Sequence, residues 1–189
     1  MKPEDSDDTE DERIILEQIL AGQKDLFRFI VKRYESPVYG MGLSFFHNSE
    51  DASDFTQEVF LKIYRSLPMF EGRSRFSTWL YKIAYNTALN NVKRKKNYRS
   101  LAEDDIVPDT ETPERSTLRE IIRQAVLEEV KNLPERFRVC VDMFFFYDRS
   151  YQEIENITGY PVNTVKSHVF RAKKLLREKL EIYSEGGFQ

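Results

Sequence analysis

The sequence predicts an all-helical protein, built as two small helical domains joined by a flexible acidic linker. Apolar residues recur at spacings of three and four along most of the chain, whereas the strict alternation that indicates a strand is scarce. Residues 103–114 hold two prolines, six acids and few apolar side chains, a composition typical of a linker. The chain length of 189 residues accommodates two such domains.

The first half of the chain predicts four helices. Gly22 ends the first helix and Pro68 follows the third, while Pro37 is expected to kink or split the second. Acidic residues at the start of the third helix favour its N-terminus because they complement the helix dipole. The predicted helices span residues 14–21, 25–46, 49–66 and 77–96.

The second half predicts a helix-turn-helix. A helix at residues 118–132 and another starting at Pro134 come first. Ser150 and Glu153 then have the spacing of a capping box, which starts a short helix, and Gly159 supplies its left-handed stop. A short capped helix, a glycine turn and a further helix form the pattern whose second helix enters the major groove of DNA.

The last predicted helix has two chemically different faces. At about 100° per residue one stripe is apolar, and the opposite face is polar and basic. Early polar residues on that face are expected to reach base edges, and the later cations suit phosphates. Phe170 lies off the apolar stripe, and the sequence leaves open whether it contacts a thymine methyl group or packs on a neighbouring domain. The apolar stripe consists of Val162, Val165, Val169, Ala172, Leu176 and Leu180.

A second basic region, residues 70–99, is rich in aromatic rings. It holds eight Lys and Arg residues against a single acid, Glu71. Rings of this kind stack on unpaired bases while nearby cations follow the backbone, which is the design of a single-strand binder. Helical spacing predicts that Phe76 packs in the core and that Tyr85 and Asn86 lie outward. One half of the chain therefore suits duplex DNA, and the other suits bases taken out of the duplex.

The charge pattern indicates a polyanion held at two places. The net charge of −3 averages two acidic segments, residues 1–12 at −6 and residues 103–115 at −5, against a basic remainder. No apolar run reaches the roughly 18 residues of a membrane span and no secretory signal follows the acidic start, so we expect a cytoplasmic protein. One cysteine and two histidines argue against a disulfide, a metal site or a histidine-based triad. We expect no cofactor and no enzymatic activity.

Three motifs, taken together, resemble a known family. They are "DFTQEVFLKIYRSL" (54–67), "FEGRSRFSTWLYKIAYNTALNNVKRKK" (70–96) and "LPERFRVCVDMFFFYDRSYQEIENITGYPVNTVKSHVFRAKKLLREKL" (133–180). In this order they resemble the extracytoplasmic-function group of bacterial RNA polymerase sigma factors, in the sigma-70 family, over about residues 24–180. The resemblance implies a sigma region 2 domain (13–99), an acidic linker (100–116) and a sigma region 4 helix-turn-helix domain (117–182). Residues 1–12 are not part of the motif and are predicted to form an acidic disordered tail, and residues 183–189 a short tail.

The resemblance also implies a function in transcription initiation. Such a protein joins core RNA polymerase, reads the minus-35 element as duplex DNA and the minus-10 element as an opened non-template strand, and is held by an anti-sigma factor until a signal arrives. Asp54, Gln57 and Glu58 match positions that dock on core polymerase. The residues predicted to bind the minus-10 element are Phe70, Arg73, Arg75, Trp79, Tyr85, Asn86, Asn90 and Lys93. Those predicted to bind the minus-35 element are Asn163, Thr164, Lys166, Ser167, Phe170, Arg171 and Lys174.

Two other functions fit parts of the sequence. The helix-turn-helix also resembles that of transcription activators which carry a receiver domain, but a receiver needs alternating strands and helices that the first half does not predict. A protein that sequesters a sigma factor would need no basic aromatic surface. His168 departs from the family pattern, which often has arginine there, and so leaves the promoter preference open.

Overall fold

The computed structural model describes residues 4–99 and 118–185 of the chain. These residues form eight α-helices and no strand, which confirms the predicted all-α class. None of these helices has the length and hydropathy required to cross a membrane. The predicted linker lies outside the described residues. The helices are α1 (Glu4–Leu20), α2 (Phe27–Phe46), α3 (Ser49–Ser66), α4 (Phe76–Arg99), α5 (Leu118–Lys131), α6 (Glu135–Val141), α7 (Tyr151–Thr158) and α8 (Val162–Glu185).

Helix α3 has the bounds that the sequence predicts, at both ends. Asn48 caps it, because the side-chain oxygen of Asn48 accepts a hydrogen bond from the backbone N–H of Asp51 at 2.8 Å. Glu50 and Asp51 lie in the first turn, where their carboxylates complement the helix dipole. These signals are local in sequence, which is why the prediction holds to the residue.

Helix α1 starts earlier than predicted. It begins at Glu4, so the disordered tail predicted for residues 1–12 is wrong for residues 4–12. Glu12 explains the difference, since it is only 7% exposed and accepts a hydrogen bond of 2.5 Å from the hydroxyl of Tyr34. Arg33 adds an ion pair, with its Nε 3.8 Å from the Glu12 carboxylate. Tyr34 lies on α2, 22 residues further along the chain, so the acidic composition did not reveal this contact.

Two further segments differ from the prediction. Pro37 lies inside α2, which stays one helix instead of splitting. The adjacent Tyr34 and Val38 are buried, and their packing outweighs the hydrogen bond that proline removes. After α6, the segment Asp142–Phe146 forms a π-helical turn. Such turns are rare inside helical proteins and often lie at functional contacts.

Helices α2 and α3 approach each other closely at Gly42. A Cβ atom on Gly42 would lie 2.9 Å from Cδ1 of Phe55 and 3.0 Å from Cα of Ala52. Phe55 is 1% exposed, and the Ala52 atom belongs to the backbone, so neither neighbour can move aside easily. The lack of a side chain at this position therefore sets the distance between the two helices.

We expect Gly42→Ala to lower the free energy of unfolding by about 1–2 kcal/mol, because overpacking outweighs the gain in helix propensity. Gly40→Ala is the matched control on the same helix, since its new Cβ would meet only the Tyr147 hydroxyl at 3.6 Å. We expect this control to be stabilising by about 0.5–1 kcal/mol. Urea unfolding of both variants measures the difference, and a Gly42→Ala protein as stable as the control would contradict the close approach.

The second domain contains the predicted helix-turn-helix. Both halves of the capping box are present: the Ser150 hydroxyl accepts from the Glu153 backbone N–H at 3.2 Å, and the Glu153 carboxylate accepts from the Ser150 N–H at 2.9 Å. Gly159 has φ of 78°, in the left-handed region that favours glycine. Along α8 the predicted apolar stripe is buried at its centre, where Val165 and Ala172 are 0% exposed.

The two domains are in contact. Helix α7 of the second domain packs on α4 of the first. Buried apolar side chains from both domains join in one cluster, while a smaller cluster lies inside the second domain alone. Helix α7 therefore lies between α4 of the first domain and α8 of its own domain.

Candidate nucleic-acid interface

The outer face of α8 presents most of the residues predicted to bind duplex DNA. The exposed members are Asn163, Lys166, Ser167, Phe170, Arg171 and Lys174, and Thr164 is half-buried. Lys174 forms an ion pair with Glu178 at 3.9 Å, but both side chains are more than half exposed, so this pair is weak and leaves the cation available. The apolar stripe faces the core, so it orients these polar residues outward as one surface.

Phe170 does not pack against either domain in the described part of the chain. Its side chain is 70% exposed on the outer face of α8, one turn after Lys166 and next to Arg171. The packing alternative left open by the sequence is therefore wrong for this arrangement. An exposed ring between cations is available to apolar groups on a base edge, such as a thymine methyl.

His168 faces inward rather than toward this surface. Its ring lies 5.2 Å from the Phe137 ring and 5.3 Å from the Tyr160 ring, and its Nδ1 is 3.7 Å from the sulfur of Cys140. Burial, followed by the nearby Arg136 and Arg171, lowers the pKa of His168. An inward-facing histidine with a lowered pKa adds no positive charge to the outer face of α8.

A second polar and basic stripe runs along α4. Lys82, Asn86, Asn90 and Lys93 are exposed, and their spacing of three and four residues places them on one side of the helix. Trp79 is half-buried at the start of the same side. We call these five residues the α4 stripe. Lys82 was not among the predicted contacts, although its spacing from Trp79 and Asn86 was sufficient to find it.

Tyr85 is not part of the α4 stripe. It is 3% exposed, so the prediction that it lies outward is wrong. Its ring packs against Phe45 at 6.1 Å in an edge-to-face arrangement, and its hydroxyl is hydrogen-bonded with Tyr160 of the second domain. Burial and this bond raise the pKa of Tyr85. The reason is that α4 is covered on two sides, by α2 and by the second domain, so its apolar face is wider than periodicity indicates.

The loop before α4 combines a packed aromatic with two exposed arginines. The Phe70 ring lies 5.2 Å from the Trp79 ring and 5.5 Å from the Phe76 ring, so the predicted base-contacting ring is held in a cluster and is half-buried. Arg73 and Arg75 are exposed, and Arg73 forms an ion pair with Glu71 at 2.5 Å in which both side chains are more than half exposed. Gly72 lies between Glu71 and Arg73, and its φ of 69° allows the loop to turn there.

The outer face of α3 carries the residues predicted to dock on core polymerase. Asp54 and Gln57 are exposed, but Glu58 is half-buried, because its carboxylate accepts hydrogen bonds of 2.7 Å from Asn91 and from Lys62. Although burial acts in the opposite direction, these bonds lower the pKa of Glu58. Glu58 therefore braces α3 against α4 instead of projecting freely.

Two apolar residues on this same face of α3 were not predicted. Leu61 is 56% exposed and Tyr64 is 36% exposed. Leu61 lies four residues after Gln57 and seven after Asp54, so helical spacing puts it on the same side. Leu61 and Tyr64 are three residues apart on the helix and so form a small contiguous apolar patch within this polar face; contiguous exposed apolar patches mark interaction sites when they are extensive.

Both halves of the chain match known protein families. Residues 30–98 match the family described as Sigma-70 region 2, and residues 123–176 match the family described as Sigma-70, region 4. The first match contains α3, the loop and the α4 stripe, and the second contains the outer face of α8. All predicted site residues thus lie within the two matched segments.

Relatives of known identity match nearly the whole chain. It is 34% identical to the RNA polymerase sigma-H factor of Pseudomonas aeruginosa over 183 residues, covering 91% of this chain and 95% of that protein. It is 35% identical to the ECF RNA polymerase sigma-E factor of Haemophilus influenzae, covering 90% and 95% respectively. The sigma-E factor of Escherichia coli K12 is 32% identical, over 90% and 94%.

Solved structures share the fold at lower identity. The sigma factor RpoE of Bartonella quintana, determined with the anti-sigma factor NepR, matches with a TM-score of 0.71 at 19% identity, over 82% of this chain and 97% of that one. CnrH, determined with the cytosolic domain of CnrY, matches with a TM-score of 0.66 at 21% identity, over 89% and 96%. Both likenesses support the helical architecture described above.

Proposed function

This chain belongs to the extracytoplasmic-function group of the sigma-70 family of RNA polymerase sigma factors, and from this premise we propose which partner each of its surfaces binds. As a member of that family it acts in transcription initiation, with core RNA polymerase and promoter DNA as partners. Sigma factors are non-enzymatic initiation factors. We propose that this chain likewise has no catalytic activity of its own and works in the cytoplasm, where bacterial RNA polymerase is found.

In this proposal the outer face of α8 reads the minus-35 element as closed duplex. The α4 stripe, with the loop at residues 70–75, holds the opened non-template strand of the minus-10 element. The observation that carries the proposal is the presence of two exposed cationic surfaces of different chemistry. One lies on the second helix of the helix-turn-helix, and the other adjoins the packed rings of Phe70 and Trp79.

Binding energy then drives promoter opening, without covalent chemistry. The α8 face anchors the complex through phosphates and base edges. Bases that leave the duplex gain stacking contacts on the aromatic cluster beside the α4 stripe, and this gain offsets the cost of unpairing. The activator alternative is not favoured, because a receiver domain requires a central sheet and residues 4–99 are helical without a strand.

Promoter-directed transcription tests the proposed function. Core RNA polymerase with and without this protein is supplied with fragmented genomic DNA, and the RNA starts are mapped. We expect discrete new starts, each preceded by a shared pair of sequence elements. Binding of the protein to closed duplex with no new start would overturn the proposal and favour the activator.

We expect Trp79→Ala to reduce promoter opening about 5- to 150-fold, because stacking on one base contributes about 1–3 kcal/mol. Permanganate reactivity of thymines in the minus-10 element measures the opening, and pull-down with core polymerase measures docking. Trp79→Phe keeps a stacking ring and should restore most of the opening.

Phe29→Ala is the matched control for this prediction. Phe29 is 44% exposed on α2, away from the α4 stripe, and its ring lies 5.0 Å from the guanidinium of Arg28. We expect neither opening nor docking to change. An equal loss of opening and docking in Trp79→Ala would show that the tryptophan is structural.

We assign docking on core polymerase to the outer face of α3. Asp54 and Gln57 supply polar contacts and Leu61 an apolar anchor at the centre of the face. Glu58 contributes by holding α3 on α4 through Asn91 and Lys62.

We further propose that an anti-sigma factor holds the chain until a signal arrives. The support is by analogy: RpoE, which shares the fold, was determined in complex with the anti-sigma factor NepR. Affinity purification of the chain from its own cells, under conditions in which its target promoters are silent and under conditions in which they are active, tests this point. We expect one stoichiometric partner that is lost when transcription of the target promoters rises, and its absence under all conditions would overturn the proposal.

A further inference from the structure

Three aromatic rings of the second domain form a continuous row beside α8. The rings of Phe144 and Tyr151 are stacked, with a centroid distance of 4.7 Å and an interplanar angle of 7°. Phe145 continues the row, because its ring meets the Phe144 ring edge-to-face at 4.9 Å and 88°. We call Phe144, Phe145 and Tyr151 the aromatic row.

A lysine of α8 lies over each end of the aromatic row. Lys166 Nζ is 5.9 Å from the centroid of the Tyr151 ring, and Lys173 Nζ is 5.8 Å from the centroid of the Phe145 ring. Both distances are within the range of cation–π attraction. Lys166 and Lys173 are seven residues apart, so they lie on the same side of α8 and about 10 Å apart along its axis. The aromatic row therefore connects two cations of one helix face.

Neither of these lysines forms an ion pair with a carboxylate in the described part of the chain, whereas Lys174 pairs with Glu178 at 3.9 Å. A carboxylate partner offsets the charge of a lysine and has to be displaced before a phosphate can bind. A ring attracts the cation through its quadrupole and leaves the full positive charge in place. The aromatic row thus restrains Lys166 and Lys173 while their charge stays available to a polyanion.

The backbone fixes the rings more firmly than it fixes the lysines. Phe144 and Phe145 belong to the π-helical turn Asp142–Phe146, and Tyr151 is the first residue of α7. Phe144 and Tyr151 are half-buried and pack against the hydrophobic core. A lysine side chain has four rotatable carbons and high rotamer entropy. The rings are therefore the fixed partners, and the lysines are the groups that they orient.

Orienting a lysine before DNA binds changes both affinity and specificity. A side chain that is already restrained loses less rotamer freedom when it makes its contact. Lys166 lies in the early part of α8, where a helix-turn-helix reads base edges, and a lysine there can donate to O6 and N7 of guanine. Lys173 lies two turns later and is exposed, in the part of the helix where cations suit phosphates.

We propose that the aromatic row is a positioning device for binding of the minus-35 element: Tyr151 directs Lys166 toward a base edge, and Phe145 holds Lys173 as an additional phosphate contact. This step rests on the proposed sigma function and deepens it. It adds Tyr151, Phe145 and Lys173 to the residues that determine DNA binding. Tyr151 and Phe145 are positioning residues, because they act through the two lysines.

Nuclear magnetic resonance of the free protein tests the two lysine contacts. Protons over the face of an aromatic ring are shifted upfield. We therefore expect the ε-methylene resonances of Lys166 and Lys173 to lie upfield of that of Lys131, which is exposed and has no ring contact among the described residues. Tyr151→Leu should abolish the shift of Lys166 alone, and Phe145→Leu that of Lys173 alone. Unshifted resonances of both lysines in the unaltered protein would overturn the proposal.

Selection from a library of minus-35 duplexes by the polymerase holoenzyme tests the consequence for DNA binding. We expect Tyr151→Leu to bind the preferred sequence about 2- to 5-fold less tightly, the factor given by one exposed cation–π contact, and to lose discrimination at one base position. Tyr151→Phe keeps the ring and should restore both. Phe145→Leu should weaken binding to all sequences by a similar factor, because a phosphate contact carries no sequence information.

Phe146→Leu is the matched control. Phe146 is 51% exposed at the end of the same π-helical turn, and within the described residues its ring contacts neither another ring nor a cation. We expect its lysine resonances and its duplex selection to match those of the unaltered protein. Circular dichroism establishes that each variant is folded. Because the two leucine substitutions of the aromatic row lie on different elements, misfolding of one leaves the other as a test.

The two measurements separate this proposal from the proposed function. Failure of the unaltered holoenzyme to select any duplex would contradict the sigma function, whatever the lysine resonances show. Selective binding that is the same in Tyr151→Leu and Phe145→Leu would overturn the positioning role alone. An equal loss of discrimination in Tyr151→Phe and Tyr151→Leu would also overturn it, since the first variant retains the ring.

Discussion

Replacing Lys166, Arg171 and Lys174 together by alanine is expected to weaken binding of the polymerase holoenzyme to a minus-35 duplex about 10²- to 10³-fold at 0.1 M salt. Each cation that neutralises a phosphate releases condensed counterions and contributes about 0.9 to the slope of log affinity against log salt. Three lost contacts lower the slope by about 2.7, which corresponds to a factor of about 500 at this salt concentration.

The three side chains are exposed on α8 and alanine is a strong helix former, so the fold should not change. Lys131→Ala is the matched control, because Lys131 is an exposed lysine of the same domain that pairs with Glu128 on α5. Fluorescence anisotropy over a series of salt concentrations measures both slope and affinity. A slope equal to that of the unaltered protein would exclude these cations from the DNA contact.

Asp142→Asn is expected to raise the free energy of unfolding at pH 7.5 by about 1–2 kcal/mol, and to have little effect near pH 4.5. Burial raises the pKa of Asp142 from 3.8 to about 6, although the hydrogen bond from Ser44 and the charge of Arg138 act in the opposite direction. We expect the free energy of unfolding to rise by less than the whole pKa shift would give if it were converted into free energy. The reason is that part of the Asp142 carboxylate stays in contact with water.

The direction of the pH effect follows from proton binding. The folded protein holds the Asp142 proton more tightly than the unfolded chain does, so the stabilising contribution is complete below about pH 4 and is lost as the pH rises through about 6. Asparagine mimics the neutral carboxyl at all pH values, and its side-chain oxygen still accepts from Ser44. Burial lowers the pKa of His47. This histidine is present in both the unaltered protein and the variant, so its effect on the pH dependence is the same in both.

Thermal unfolding from pH 4.5 to 7.5 measures this effect, and we expect the melting temperature of Asp142→Asn to exceed that of the unaltered protein by about 3–6 °C at the upper end. Asp148→Asn is the matched control. Asp148 is exposed and has φ of 52°, a conformation that asparagine tolerates. A pH-independent gain for Asp142→Asn, or an equal gain for the control, would contradict a buried, proton-binding Asp142.

The helical elements and the exposed polar face of α8 were predictable because their sequence signals are short-range. The cap of α3 and the capping box at Ser150 involve residues three apart. The buried stripe of α8 repeats every three to four residues, so the opposite face is determined at the same time. These patterns need no knowledge of what lies across the helix.

The misplaced site residues share a different cause. Glu58 and Tyr85 were expected to project outward, but α4 and the second domain supply partners for them. His168 lies at the edge of the α8 stripe, where only the positions of Phe137 and Tyr160 decide that it turns inward. A helix that is covered on two sides has a wider buried face than one period of apolar residues indicates.

The sequence by itself determined the all-helical class, the helix-turn-helix, the two basic surfaces of different chemistry and, through its motifs, the resemblance to sigma factors. Only the tertiary structure decided that the two domains contact each other through hydrogen bonds between side chains. The Thr78–Glu153 and Ser44–Asp142 bonds link residues 75 and 98 positions apart. Hydroxyls and carboxylates carry no periodic signal, and over such separations the packing of whole helices, rather than the neighbouring sequence, selects their partners.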